Sequence, residues 1–432
     1  MASSTVPPKP PKPAKRALAM AYCGGGLSMG LMDTLVFVVP LWALMLGASA
    51  TEVGLLVGAR SVLPFVFAIQ SGVLMDRFGA RRIMALVTVA MIVLAPLYPA
   101  LPWIPAMMFI QMLTGLATTI AWIGAQTVIA QVCRGDTGYL GRFNFASRIG
   151  TFSAPILMGL LWDFTNPWLT FCFVSLWSAA LLVLIRASAD PQASSAGGAA
   201  EGMAKDEAAA GAKEAPRSPG ARLADFIPRP ADYTRTFALM AIPAIAITIG
   251  ANFLRNTTSG VQGSIYVVYL DEIGLTGTAI GALFAAIEGA SAIGSLLAGG
   301  AARRFSAYAL MVVTTGLAIV LINITPLLGG IFALLFAAQF ARGIIQGVNQ
   351  PVLFGIQARA AGPHRQGATV ALRVTVNRFV SIILPPILGI IADTAGIEMS
   401  FYLLGGVLLA MILGPGLEHF LPTTGLEAVR GG

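Results

Sequence analysis

The chain has 432 residues, 56% of them hydrophobic and only 11% charged, with a mean hydropathy of +0.80. Soluble domains carry about 25% charged residues, so this composition excludes a soluble catalytic domain and predicts an all-α polytopic membrane protein, not an enzyme. The formal charge of +8 and the pI near 9.7 come from basic residues scattered through short loops, which fits membrane topology and not a nucleic-acid surface.

Residues 1–16 are rich in Pro and Lys and are expected to form a disordered cytoplasmic segment. An amino-terminal bundle is expected over 17–187, with apolar stretches at 18–46, 53–75, 83–101, 105–131, 141–162 and 167–186. The first stretch is too long for a signal-peptide core and reads as a retained helix. Residues 188–235 then turn to Ala, Gly, Ser, Lys, Glu and Pro, a flexible linker with a short amphipathic helix near Leu223 to Ile227. A carboxy-terminal bundle over 236–417 carries six more stretches, at 237–270, 277–299, 307–327, 330–357, 368–392 and 398–417, before a tail at 418–432. The expected architecture is twelve transmembrane helices as two six-helix repeats.

Charge assigns the sides. Basic residues mark the amino terminus (Lys9, Lys12, Lys15, Arg16), the second loop (Arg77, Arg81, Arg82), the fourth (Arg134), the linker (Lys205, Lys213, Arg217, Arg222), the eighth (Arg303, Arg304) and the tenth (Arg359, Arg365). The odd-numbered loops carry Glu52, Asp271, Glu272 and Glu398 with no Lys or Arg. The positive-inside rule therefore predicts cytoplasmic termini and linker, and a bacterial inner membrane is the expected location.

The halves also repeat. Gly47, Thr51 and Gly54 recur as Gly274, Thr278 and Gly281, and Gln111 with Gly115 recurs as Gln339 with Gly343. Arg148, Pro155, Gly159 and Asp163 recur at one constant offset as Arg378, Pro385, Gly389 and Asp393. Internal duplication of this kind marks transporter architecture.

The second loop, GVLMDRFGARRI from Gly72 to Ile83, supplies a motif. Gly72 permits close helix approach, Asp76 can cap a helix or pair with an arginine, Arg77 follows it, Gly79 allows a tight turn, and Arg81 with Arg82 anchors the next helix at the headgroups. Read alone, the stretch is equally a charged cytoplasmic turn. It closely resembles the signature loop of the major facilitator superfamily, departing from it at Met75 and Ala80. The second-half counterpart, GSLLAGGAARRF, has Ala298 where the first half has Asp76. The resemblance implies the major facilitator fold: the first, fourth, seventh and tenth helices line a central cavity, and the second, fifth, eighth and eleventh form the interface between halves. The fifth helix, with Gly150, Ala154, Pro155 and Gly159, partly resembles the Gly-Pro motif of antiporters in that family, which implies a lean toward export or exchange; Pro155 is equally a simple bend.

Membrane-depth charges follow this geometry: Asp33, Arg60, Arg148, Arg255, Glu288, Arg342 and Arg378 all fall on helices that the resemblance places around the cavity or the interface. Each would cost roughly 2.5 to 3.5 kcal/mol if it faced lipid. On the tenth helix, Arg342, Gln346, Asn349 and Gln350 share one face, and on the seventh so do Asn252, Arg255, Asn256, Ser259 and Gln262. Arg342, Gln346, Asn349, Gln350, Arg255, Asn256, Asn252 and Gln111 are the expected solute contacts. Asp33 and Glu288 are the expected coupling carboxylates, with a structural or gating ion pair as the competing reading of each. Arg60, Arg148 and Arg378 are expected to gate or hold the interface.

Five such arginines against two carboxylates favour a small anionic or partly anionic solute. No phosphate-binding GxxxxGK loop is present, so proton coupling or exchange is the expected energy source. No cofactor is expected and no bound metal, since Cys23, Cys133, Cys172, His364 and His419 are dispersed. The expected partners are the solute, the bilayer and a coupling proton, with the protein a monomer and no nucleic acid bound. Rival readings are broad drug or metabolite efflux, metal transport through Met20, Met29, Met32 and Cys23 of the first helix, and a non-transporting assembly factor or sensor.

Overall fold

The computed structural model describes residues 15–133, 137–187, 238–361 and 366–413, leaving aside the side chains of 68–73, 76, 77 and several helix-end positions. The expected N-terminal segment before residue 15, the 188–235 linker and the 418–432 tail lie outside the described residues, as do Arg134, His364, Arg365, the surroundings of Gly72 and the side chains of Asp76 and Arg77.

Every regular element among the described residues is helical. In chain order the membrane helices are α1 (Lys15–Met45), α2 (Ala50–Phe78), α3 (Ala80–Ala100), α4 (Ile104–Cys133), α5 (Thr137–Phe164) and α6 (Pro167–Ala187). The second set is α7 (Pro243–Gly263, resumed as Ile265–Glu272), α8 (Gly277–Arg304), α9 (Ala307–Asn323), α10 (Phe332–Ala361), α11 (Gln366–Ala395) and α12 (Ile397–Leu413). Among the described residues, seven helices, α1 to α4, α6, α8 and α11, carry stretches long and apolar enough to cross a membrane, and α9 and α12 are shorter apolar helices. The remaining three, α5, α7 and α10, carry Arg148, Arg255 and Arg342. Polarity lowers the apolar signal of the helices that line an internal site.

The duplication is visible in backbone geometry. Helix α1 breaks at residues 35–37 and α7 at Ser264. Phe37 and Ser264 are 227 positions apart, as are Gly47 and Gly274, which turn the chain after α1 and α7 with φ of 80° and 75°. A side chain at either turn would meet the steric penalty of positive φ.

Among the described residues the most extensive contacts between the halves are those of α2 with α11 and of α5 with α8. Their contact is backbone on backbone: a Cβ on Gly54 would stand 2.3 Å from the Pro385 carbonyl oxygen, and one on Gly281 would stand 2.3 Å from that of Pro155. Both contacts lie toward the membrane face opposite the chain termini. Beneath them an apolar plug fills the space between halves, with Phe37 of α1 against Phe284 of α8 at 5.6 Å, and Phe284 against Tyr266 of α7 at 6.4 Å. Toward the face of the termini the halves part. Phe145 continues the α5 stripe of Gly159, Pro155, Phe152 and Arg148, yet it is 67% exposed, and a Cβ on Gly141 would meet nothing within 4 Å. The molecule is closed on one face and open on the other.

Candidate solute site

The charged centre sits where this opening ends. Arg148 of α5 donates through Nη1 to Glu288 Oε2 of α8 at 2.7 Å and through Nη2 to Gln350 Oε1 of α10 at 3.4 Å. The bridge crosses from one half to the other, and its two charged side chains keep 32% and 34% of their surface exposed. A partner entering from the open face can therefore reach both charges without unfolding anything.

Asp33 of α1 lies within electrostatic reach of Glu288, Arg60 and Arg148, with no hydrogen-bond or salt-bridge partner among the described residues. Arg60 of α2 donates to the Met32 carbonyl, one residue before Asp33. Gly115 of α4 brings this arginine close, since a Cβ there would stand 2.0 Å from the Arg60 carbonyl oxygen and 2.9 Å from its Cγ. Arg378 of α11, the repeat counterpart of Arg148, donates to Thr119 Oγ1 of α4 at 3.3 Å, again across the halves. Arg255 of α7 is half-buried within reach of Arg148, Glu288 and Arg373. Asp33, Arg60, Arg148, Arg255, Glu288, Gln350 and Arg378 thus form one mid-membrane cluster.

Other expected contacts are placed elsewhere. Arg342 is completely buried, donating to Gln262 Oε1 at 3.1 Å, Gln339 Oε1 at 3.2 Å and the Thr258 carbonyl at 2.9 Å, so its guanidinium fastens α10 to α7. Buried Asn349 donates to the Met311 carbonyl and to the hydroxyls of Thr314 and Thr315, tying α10 to α9. The physical reason is angular: at 100° per residue, positions 342, 346, 349 and 350 span an arc of about 100°. That arc is wide enough to meet α9, α7 and the open centre in turn. Gln346 lies between them, half-buried, with Nε2 enclosed and without a partner among the described residues.

Gln111 is buried and accepts from Tyr98 Oη at 2.5 Å. Asn252 donates to Asn377 Oδ1, and Asn256 donates to the Asn377 carbonyl at 2.9 Å, so both amides bind α7 to α11. Pro155 packs its carbonyl against Gly281. In the second loop, Gly79 turns at φ 87°, Arg81 donates to the Ile185 carbonyl at 2.8 Å, and Arg82 is exposed.

One cluster residue was absent from the expected set. Arg373 of α11 lies over the Phe354 ring of α10 at 3.9 Å and within reach of Arg255. Its signal was present in the sequence, since Arg373, Asn377 and Ser381 follow i, i+4, i+8 spacing on one helical face.

Comparison with known proteins agrees with this architecture. The family model described as Major Facilitator Superfamily matches residues 18–250 and 247–425. A mutant form of the nucleoside transporter NupG superimposes with a TM-score of 0.73 at 11% identity, over 94% of this chain and 100% of its own. A D-xylose-proton symporter superimposes at 0.63 with 15% identity, over 92% and 96%. A POT family transporter in complex with 5-aminolevulinic acid superimposes at 0.68 with 12% identity, over 95% and 97%. No curated protein matches the chain. At these identities the solved structures carry the fold and not the solute.

Proposed function

This chain belongs to the Major Facilitator Superfamily, and we propose that it moves a small anionic or partly anionic solute across the membrane by alternating access. The observation that carries this reading is the Arg148–Glu288 bridge, half-open to one face and spanning the two halves at mid-membrane. With Arg60, Arg255, Arg373 and Arg378 around it against Asp33 and Glu288, the cluster holds an excess of three positive charges, five arginines less two carboxylates. A solute carboxylate or phosphate that takes up a guanidinium of this set relieves that excess with charge-assisted hydrogen bonds. It also competes with Glu288 for Arg148, which couples occupancy to the contact between halves.

Substrate contacts on this reading are Arg148, Arg255, Arg373, Arg378 and Gln350, with Asn256 and Asn252 shaping the α7–α11 wall. Arg342, Asn349 and Gln111 hold helices together, and Gln346 stands behind the site. Asp33 serves as the proton-coupling carboxylate because it sits unpaired among the charges that the solute rearranges. Energy comes from proton coupling or exchange, with export or exchange the favoured direction. Lys and Arg in the even-numbered loops support cytoplasmic termini, so the open face is the cytoplasmic one.

The test is a thermal-stabilisation screen of the purified protein against organic anions, amphipathic cations and divalent metals, followed by uptake of the best binder into proteoliposomes. An anion is expected to stabilise the protein and to be carried. Stabilisation by amphipathic cations or metals alone, with no anion transported, would remove the anionic reading.

A further inference from the structure

On the face opposite the termini, two carboxylates that the solute site does not use reach from one half to the other. Asp163 lies at the end of α5, and its oxygens accept the backbone N–H groups of Gly277 and Thr278, each at 2.7 Å. These are the first two residues of α8. Asp393 lies at the end of α11 and accepts those of Ala50 at 3.0 Å and Thr51 at 2.9 Å, the first two residues of α2. Each carboxylate belongs to one half and each helix start to the other.

The first N–H groups of a helix have no partner within it, and that end carries partial positive charge. Here the third N–H of each helix is satisfied locally: Ala279 donates to Thr276 Oγ1 at 3.3 Å, and Glu52 donates to Ser49 Oγ at 3.2 Å. Among the described residues, the first two find their protein partner only across the halves. Helix α2 and helix α8 are therefore completed by residues of the other half, and in the same way.

That symmetry is written in the sequence. Asp163 and Asp393 are 230 positions apart, as are Pro155 and Pro385, and Gly159 and Gly389. The glycines bring the helix ends close enough for capping: a Cβ on Gly159 would stand 2.4 Å from the Gly277 carbonyl oxygen, and one on Gly389 would stand 2.4 Å from that of Ala50. Both carboxylates are exposed, so water is at hand to replace the four backbone bonds when the halves separate. A contact of this kind closes firmly and opens without burying an unpaired group.

We infer that Asp163 and Asp393 form a twin latch in which each half caps the other half's helix, and that releasing both caps opens the face opposite the termini. The purpose of the latch rests on the alternating-access reading, but the latch itself is a conformational contact and is testable without a solute.

The experiment uses the full chain in nanodiscs, with Cys23, Cys133 and Cys172 replaced and one reporter cysteine added. Val39→Cys reports on the closed face, where Val39 is fully buried, and Asn144→Cys reports on the open face, where Asn144 is exposed. Maleimide labelling is measured in the parent, in Asp163→Asn, in Asp393→Asn and in the double variant. Each single variant is expected to speed Val39→Cys labelling by about threefold and the double variant by about tenfold or more. Labelling at Asn144→Cys is expected to slow in the same variants, and Asp163→Glu is expected to return toward the parent. Opposite changes at the two reporters are the mark of a latch. Unchanged labelling at Val39→Cys, or faster labelling at both reporters as in a loosened fold, would overturn it. Because no solute is added, a failure to transport anions leaves this result intact, and a failed latch leaves the anion site intact.

Discussion

Arg148 and Arg378 occupy the same position in the two repeats, 230 residues apart, and the two halves give them different partners. Arg148 meets a carboxylate, Glu288, at 2.7 Å across the interface. Among the described residues, Arg378 meets only the hydroxyl of Thr119 at 3.3 Å and lies within reach of Arg60, a like charge. The position equivalent to Glu288 in the first half is Ser61, 227 residues earlier. One arginine is neutralised and its twin is left positive, so the centre of a symmetric fold is electrostatically lopsided. An anionic solute would bind toward the Arg378 side first.

Arg378→Gln is accordingly expected to raise KM for the anionic solute by about tenfold or more, the scale of one lost charge-assisted hydrogen bond. It should leave the melting temperature within a few degrees of the parent. Uptake kinetics in proteoliposomes with parallel melting curves check both parts. A normal KM would place Arg378 outside the solute's reach.

On the proposed reading, Glu288→Gln removes the internal competitor of the solute on Arg148. Equilibrium affinity for the anion should rise, while turnover falls as the bridge between halves loses its charge. Both charged groups are a third exposed, so solvent screening limits the bridge to no more than about 1 kcal/mol of fold stability. Binding calorimetry beside transport separates these effects, and a parallel loss of affinity and turnover would count against competition.

Asp33→Asn is expected to abolish accumulation driven by an imposed pH gradient and to preserve solute exchange at equal pH. Asp33 has charges around it and no bonded side-chain partner among the described residues, so the amide fits without breaking a contact seen there. Retained gradient-driven accumulation would move the coupling role to Glu288.

Arg342→Met should act mainly on the fold. The guanidinium satisfies Gln262, Gln339 and the Thr258 carbonyl in a site with no exposure. Leaving those acceptors buried and unpaired costs about 1 to 3 kcal/mol each, partly recovered by relaxation. A large drop in melting temperature is expected, with the KM of surviving protein nearly unchanged. A purely kinetic defect in a stable variant would return Arg342 to the solute site.

Arg373 shares its α11 face with Asn377 and Ser381 and lies within reach of Arg255. Arg373→Ala removes a guanidinium stacked at 3.9 Å on Phe354, and a rise in KM for anionic solutes without loss for neutral analogues is expected. Equal losses for both would assign it to packing.

The sequence by itself determined the helices, their number and the duplication. Each of these is local: a run of apolar residues must be satisfied as a helix in lipid, and a repeat is a property of spacing. It also determined which helices carry charge, because a buried charge is costly wherever its helix points. Tertiary structure alone decided which of those charges meet. Arg342 and Gln350 stand on one helical face only eight residues apart, yet the packing of α7 encloses the first while the gap between halves leaves the second beside Arg148. Asp163 and Asp393 appeared in the sequence as matched positions in a repeat. Their role as caps exists only because α8 and α2 of the opposite halves begin within 3 Å of them, and a hydrogen bond between residues more than a hundred positions apart leaves no mark on local periodicity.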